Sequence, residues 1–313
     1  MATPSWLKER LSAGGQIILD GATGSELERR GVPMDKNAWC SPSVTTHSEV
    51  LKSIHKDYIV AGAEVLITNT FAASRQVLEP AGFGDQVKAI NTAAVNIAKE
   101  AILETGMAEI AIAGSISDFL ADGMGLASEW SKPAILRATY REQSEILVEA
   151  GADLIMLEMM QEPEVAIPAI EESMKAGVDV WIGMSCRSGK DGIIASSSLG
   201  TTEKLYMYDD LNRSFEETLE AVTKYDAASI HIMHSNIDDT TLGIEALKKY
   251  WDGAIGVYPN CGYFQRPSWQ FVDIIEPVLF QDYAQKWKDS GVQIIGGCCG
   301  IGPDHIEVLK DIT

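Results

Sequence analysis

Val292-Gln293-Ile294-Ile295-Gly296-Gly297-Cys298-Cys299-Gly300 is the stretch on which the reading of this chain turns. Its first four residues, three of them β-branched, predict a strand that can be buried on both faces. The two glycines that follow lack a Cβ, so the backbone can turn sharply there and approach another group closely. Two adjacent cysteines are thus delivered at the strand's C-terminal end. Neighbouring cysteines do not easily bridge each other, but their sulfurs can converge on one soft metal ion. A helix is expected at once, with Pro303 in its first turn and Asp304 and Glu307 near its positive end. The pattern reads as two of the three ligands of a thiolate zinc site at the mouth of a barrel.

The rest of the chain repeats the approach to that strand. Ala61-Gly62-Ala63-Glu64, Ala150-Gly151-Ala152-Asp153, Ala176-Gly177-Val178-Asp179 and Ser290-Gly291 each precede an apolar run. Each glycine stands where a helix would end in a left-handed residue before a strand begins. Eight such runs are found, at 16–20, 64–68, 109–113, 154–158, 179–184, 229–233, 254–258 and 292–295. Helical spacing fills the gaps at 44–61, 86–104, 135–149, 164–175, 215–223, 239–250 and 271–288. Eight strands alternating with helices over some 300 residues predict a (β/α)8 TIM barrel, a single domain spanning 1–313. No Gly-x-Gly-x-x-Gly follows the first strand, which disfavours a doubly wound sheet. Two long segments, 186–214 and 260–270, fall where strands end and are expected to cover the active site.

The totals narrow the class. Forty-five acidic residues against twenty-five basic give a formal charge of −20, which argues against nucleic acid or an anionic membrane as partner. No apolar run approaches the roughly 18–20 residues of a membrane helix, and residues 1–15 lack an apolar signal core. A cytoplasmic protein is expected. Five cysteines, two of them adjacent, suit metal or catalysis in a reducing compartment better than a disulfide framework.

In a barrel the chemistry gathers at the C-terminal ends of the strands. Read in order, those ends carry Asp20-Gly21, Asn69-Thr70-Phe71, Gly114-Ser115, Glu158, Ser185-Cys186, His234, Tyr258-Pro259-Asn260-Cys261 and Cys298-Cys299. Catalytic zinc takes three protein ligands and leaves a position for substrate. The third ligand beside Cys298 and Cys299 is either His234 or Cys261. Cys40 and Cys186 read as ordinary small buried residues, and His305 as a surface residue. Trp251, Trp269 and Trp287 are core or, in a homo-oligomer, interface.

Ile18-Leu19-Asp20-Gly21-Ala22-Thr23-Gly24, Thr68-Asn69-Thr70-Phe71 and Gly296-Gly297-Cys298-Cys299-Gly300 together resemble the homocysteine S-methyltransferase family over nearly the whole chain. The resemblance implies a barrel that holds zinc by three cysteines, two of them matching Cys298 and Cys299. It also implies transfer of a methyl group from a small onium donor to homocysteine. The family's remaining zinc cysteine, in a Gly-x-Asn-Cys motif, falls on His234 within His231-Ile232-Met233-His234, so imidazole stands where thiolate is expected. Cys261, after Tyr258-Pro259-Asn260, is the alternative thiolate. Glu158 matches the glutamate that holds the homocysteine amino group, and Asp20 and Gly21 match the first-strand motif near substrate. Asn69, Thr70, Ser115 and Asn260 would orient the amino acid by neutral hydrogen bonds. Phe71, Trp39, Trp130 and Tyr258 offer faces to a methyl-onium cation, or pack as core. Ser117-Asp118-Phe119 departs from the family after the third strand, as does the segment holding Tyr206, Tyr208, Asp209 and Asp210, which opens the donor's identity. Two other classes stay in view. One is lyase or hydrolase chemistry on a sulfur compound with His234 as general base; the other is a thiol-binding or zinc-binding barrel without turnover.

Overall fold

All four joint glycines take left-handed backbone: Gly62 at φ 109°, Gly151 at 105°, Gly177 at 82° and Gly291 at 97°. A residue with a Cβ would be strained at each, so glycine fixes where helix gives way to strand. The structure, a computed structural model, describes residues 3–120, 128–189, 205–209, 212–265 and 267–312.

The barrel strands are β1 (Ile17–Ile18), β2 (Val65–Ile67), β3 (Ala111–Ser117), β4 (Leu154–Glu158), β5 (Asp179–Met184), β6 (Ser229–Met233), β7 (Ile255–Tyr258) and β8 (Ile294–Ile295), of which β2, β4, β5 and β8 follow these joints. All pair in parallel, each with its neighbour in sequence, and β8 pairs with β1. Leu19 bridges Val65 and the Asp20 amide donates to the Val65 carbonyl at 3.0 Å, which closes the ring. Outside it lie α1 (Ser48–Ala61), α2 (Val87–Thr105), α3 (Pro133–Ala150), α4 (Pro163–Ser173), α5 (Phe215–Val222), α6 (Ile237–Leu247), α7 (Pro277–Asp289) and α8 (Pro303–Glu307). The architecture is a single (β/α)8 barrel. Among the described residues no helix is long and apolar enough to cross a membrane.

Two-residue alternation sorts each strand. Ile17, Leu19, Val65, Ile67, Leu154, Met156, Trp181 and Ile294 join one interior cluster, whereas Ile18, Leu66, Ile155, Leu157, Ile182 and Ile230 pack outward against the helices. The same parity turns Ser115, Glu158 and His231 inward. A one-residue slip would push them into the helix layer, where an unpaired polar group costs about 1–3 kcal/mol. The unanticipated helix Ser5–Ser12 plugs the barrel's other end with Leu7.

Two boundaries and one burial differ from the sequence reading in ways that bear on the site. β3 runs on to Ser117, because its register with β4 pairs Ser115 with Met156 and Ser117 with Glu158. Ser115 is therefore inside a strand rather than at its end. α7 starts late, since Asp273 is left-handed at φ 53° and Pro277 takes the first turn. His305 is buried, a correction to the expected surface position: its Nδ1 accepts from the Gly302 amide at 3.2 Å and its Nε2 donates to the Ile275 carbonyl at 2.7 Å. The three tryptophans are taken up by the chain itself. Trp269 and Trp287 are buried and Trp251 packs against the core.

The described parts of both long segments contain antiparallel ribbons, Cys186–Ser188 with Leu205–Met207 and Tyr263–Gln265 with Ser268–Gln270; residues 190–204, 211 and 266 of these segments lie outside the described residues. Asp210 lies outside the described residues.

Candidate active site and metal centre

The segment after β8 is pinned by its own backbone. The Gly296 amide donates to the Val257 carbonyl at 2.9 Å, Gly297 to Asp20 at 3.0 Å and Cys298 to Pro259 at 2.7 Å, while the Cys261 amide donates to the Cys299 carbonyl at 2.8 Å. All three of its glycines are sterically required: a Cβ on Gly296 would lie 2.4 Å from the Leu19 Cβ. A Cβ on Gly297 would lie 2.1 Å from Ile301, and one on Gly300, at φ 84°, would lie 2.1 Å from the Cys261 carbonyl oxygen. The cysteines are thus held by strands β1 and β7 as much as by β8.

His234 reaches them from the end of β6. Its backbone is left-handed at φ 43°, and its amide donates to the Tyr258 carbonyl at 3.2 Å. Tyr208 and Trp269 pack edgewise on the imidazole, with centroids at 5.1 and 5.7 Å. Nδ1 then stands 3.3 Å from the Cys298 Sγ, which is 3.9 Å from the Cys299 Sγ. The three donor atoms lie within 4.8 Å of one another and can hold a metal ion. Tetrahedral zinc, with bonds of roughly 2.0–2.3 Å, sets two sulfurs about 3.8 Å apart and sulfur and nitrogen about 3.6 Å apart, so the donor set fits. Cys261 is not in this group. Its carbonyl accepts from the Trp269 indole at 3.0 Å, and its amide serves Cys299.

The hydrogen bond to Cys299, together with burial, pushes the Cys298 thiol well above its ordinary value, and His234 offsets this in part. For His234, burial works against the charged form, but Cys298, Asp209 and Glu158 outweigh it and raise the imidazole. All five cysteines are free.

These groups face a cavity of about 660 Å³. Of the residues singled out in the sequence, Gly21, Asn69, Phe71, Glu158, Tyr258, His234, Cys298 and Cys299 line it. Asp20, Thr70, Ser115, Asn260 and Cys261 stand behind the lining. Asp20 is fully buried and accepts from the Ile67 amide at 2.8 Å; burial raises it well above the usual carboxylate range. The Thr70 hydroxyl donates to the Ser115 carbonyl at 2.7 Å. The Ser115 hydroxyl donates to Glu158 in a short hydrogen bond. Burial lifts Glu158 to about 7, against the pull of Ser115, His234 and Tyr258. Asn69 is committed to the wall, accepting the Cys40 thiol at 3.0 Å and donating to Ser43 at 3.2 Å. Cys40 and Cys186 are buried as expected. Trp39 and Phe71 meet edge to face at 6.0 Å on the cavity wall, while Trp130 lies outside the lining.

The sequence reading gave no site role to Gln161, Glu162, Phe264 or Trp269, all of which line the cavity. The signal for the first two was the continuation Glu158-Met159-Met160-Gln161-Glu162 past the end of β4. The cavity lining also holds Asp118 and Asp209, so four carboxylates face it, and no lysine or arginine does among the described residues.

The profile of the homocysteine S-methyltransferase family matches residues 17–313. The chain belongs to the homocysteine S-methyltransferase family. Among relatives, homocysteine S-methyltransferase 3 of Zea mays is 25% identical over 95% of this chain and 90% of its own length. A selenocysteine Se-methyltransferase of Brassica oleracea var. italica is 27% identical over 97% of this chain and 90% of its own. The homocysteine methyltransferase MmuM of Escherichia coli, in its metallated form, superposes with a TM-score of 0.74 at 23% identity, covering 98% of this chain and 99% of that one. Within this family barrel, the present chain sets an imidazole beside two thiols.

Proposed function

We propose that the protein is a zinc-dependent S-methyltransferase moving a methyl group from a small onium donor to the thiol of homocysteine, giving methionine. The donor class comprises S-methylmethionine, betaine, related sulfonium compounds and S-adenosylmethionine. The observation that carries the reading is the convergence of His234 Nδ1, Cys298 Sγ and Cys299 Sγ on the wall of a cavity that also presents Glu158.

His234, Cys298 and Cys299 would hold the zinc ion. An alkyl thiol with a pKa near ~8.5 is mostly protonated at pH 7, a cost of about 2 kcal/mol to any attack by its anion. Bound zinc removes that cost by favouring the thiolate of its ligand. An imidazole in place of a third thiolate makes the site one charge less negative, which strengthens that polarisation. Glu158 suits the acceptor's ammonium group. Trp39 and Phe71 offer aromatic faces to the donor's cationic centre, and Asp118, Glu162 and Asp209 supply a negative field toward it. What remains is alignment of donor and acceptor along one line, which the shared cavity supports. Five free cysteines suit a reducing compartment, and we place the enzyme in the cytoplasm.

The test is a metal assay on purified protein joined to a screen of onium donors against homocysteine, with methionine as the readout. About one zinc per chain and methionine from at least one donor are expected. Protein with no zinc and no methyl transfer would overturn the reading. Activity that survives chelation but is lost in His234→Ala would move the assignment to base chemistry by His234.

A further inference from the structure

Beneath the metal centre the barrel interior holds a second histidine. His231, on β6, is fully buried, and its Nε2 shares a short hydrogen bond with the Ser229 hydroxyl. Its Nδ1 has no hydrogen-bond partner among the described residues. Burial drives the ring's pKa down to about 3, so it is neutral at working pH. A buried, half-satisfied imidazole is costlier than an aliphatic filler, and Met156, Trp181, Met233 and Tyr258 of the same interior cluster are apolar or aromatic.

The surroundings are cut to fit this ring. It stacks on Trp181 with centroids 5.2 Å apart and planes at 30°, and stands edgewise to Tyr258 at 5.7 Å. Its register partners on both sides are glycines, Gly183 on β5 and Gly256 on β7. A Cβ on Gly256 would lie 2.0 Å from His231 Nδ1, and one on Gly183 would lie 2.5 Å from the Tyr258 hydroxyl. One glycine makes room for the imidazole and the other for the phenol that leans on it. Tyr258 and Glu158 both line the cavity, and the same Cβ on Gly183 would lie 3.0 Å from the carbonyl oxygen of Leu157, the residue before Glu158; among the described residues the Tyr258 hydroxyl completes no hydrogen bond of good geometry.

We infer that His231 is a positioning residue: its ring, tethered by Ser229 and stacked on Trp181, sets the tilt of Tyr258, which shares the cavity wall with Glu158. It thereby tunes the grip on the acceptor's ammonium group. The inference rests on the proposed role of Glu158 as the ammonium anchor.

The test compares equilibrium binding of homocysteine and of 4-mercaptobutyrate, the same thiol without the amino group, to the zinc-loaded protein by calorimetry. His231→Ala is expected to reduce the preference for homocysteine roughly tenfold, the low end of what outer-shell partners contribute at metal sites. His231→Phe, which keeps a ring against Tyr258, is expected to restore most of the preference. Ser229→Ala, which releases the tether without opening a large void, gives an intermediate loss and stands in if His231→Ala does not fold. In a Tyr258→Phe background, His231→Ala should add nothing further. An unchanged preference in folded His231→Ala and Ser229→Ala would overturn the inference, as would an equal loss for both thiols. A wild-type protein that binds the two thiols equally would instead sink the reading of Glu158.

Discussion

The imidazole Nδ1 of His234 stands 3.3 Å from the Sγ of Cys298, although 64 residues separate them in the chain. Between these atoms and the Cys299 sulfur there is room for one ion, and Cys261, the other candidate, does not join the group. His234→Ala should therefore weaken zinc binding by more than the roughly 10–100-fold typical of outer-shell partners. Cys261→Ser should retain about wild-type zinc, and His234→Cys should keep the metal with a weaker effect on the acceptor thiol's acidity. Competition with a chromogenic chelator measures all three. Equal losses in the His234 and Cys261 variants would show that both residues hold the ion.

Glu158 gives the reaction a pH dependence whose sign is fixed. Its carboxyl titrates at about 7 in the folded protein, and only the ionised form attracts an ammonium group. The KM for homocysteine should rise as pH falls below about 7, and Glu158→Gln should abolish that limb while raising KM at pH 8. Stability runs the other way. Between about 4.5 and 7 the folded glutamate keeps a proton that the unfolded one releases, so this group's contribution to stability declines as pH rises through the window. Glu158→Gln should thus unfold at a higher temperature than its parent at pH 8, by on the order of 1–3 kcal/mol, with the gain fading toward pH 4. Thermal melts at the two pH values decide it, and a variant less stable than its parent at pH 8 would contradict the assignment.

The barrel was legible because local rules set its joints. Gly62, Gly151, Gly177 and Gly291 each mark a helix end where a side chain would be strained, and four of the eight apolar runs follow them at once. The cysteine pair was legible for a similar reason, since it is flanked by Gly297 and Gly300, positions with no room for a side chain. What could not be read depends on pairing between distant strands. Whether Ser115 ends β3 or lies within it is decided by the register with β4, which no local pattern encodes. The choice between His234 and Cys261 depends on which side chain turns toward the mouth. The interior row Gly183, His231, Gly256 is recognisable only once three strands are laid side by side.

The backbone that presents the cysteines should tolerate no added methyl group. Gly300→Ala combines a left-handed φ of 84° with a contact of 2.1 Å to the Cys261 carbonyl, and that oxygen belongs to main chain that cannot swing away. Strain of this kind costs on the order of 1–3 kcal/mol for the backbone alone. The clash would also displace Cys299, whose carbonyl is tied to the Cys261 amide. Zinc content and melting temperature should fall together in Gly300→Ala. By contrast, Gly31→Ala, also left-handed at 82° but with open space around it, should lower stability and leave zinc untouched. Full zinc occupancy in Gly300→Ala would contradict the account.

The far wall of the cavity makes a prediction about the methyl donor. Burial, aggravated by the charges of Asp209 and Glu162, pushes Asp118 well above the usual carboxylate range. Asp209 is held in place by Gln161, whose Nε2 donates to its carboxylate at 2.9 Å and whose Oε1 accepts its amide at 2.8 Å. Like charges crowded against a cavity without a basic side chain among the described lining are relieved by a cation and aggravated by an anion. Binding of a cationic donor should therefore release protons near neutral pH, seen as a dependence of the calorimetric heat on the buffer's ionisation enthalpy. Asp118→Asn should reduce that release and raise the donor's KM several-fold while leaving the acceptor's nearly unchanged. Because part of the attraction acts across solvent, the donor's KM should also rise as ionic strength approaches 0.15 M, where the screening length is about 8 Å. A donor KM indifferent both to salt and to Asp118→Asn would mean that the aromatic faces alone recognise the cation.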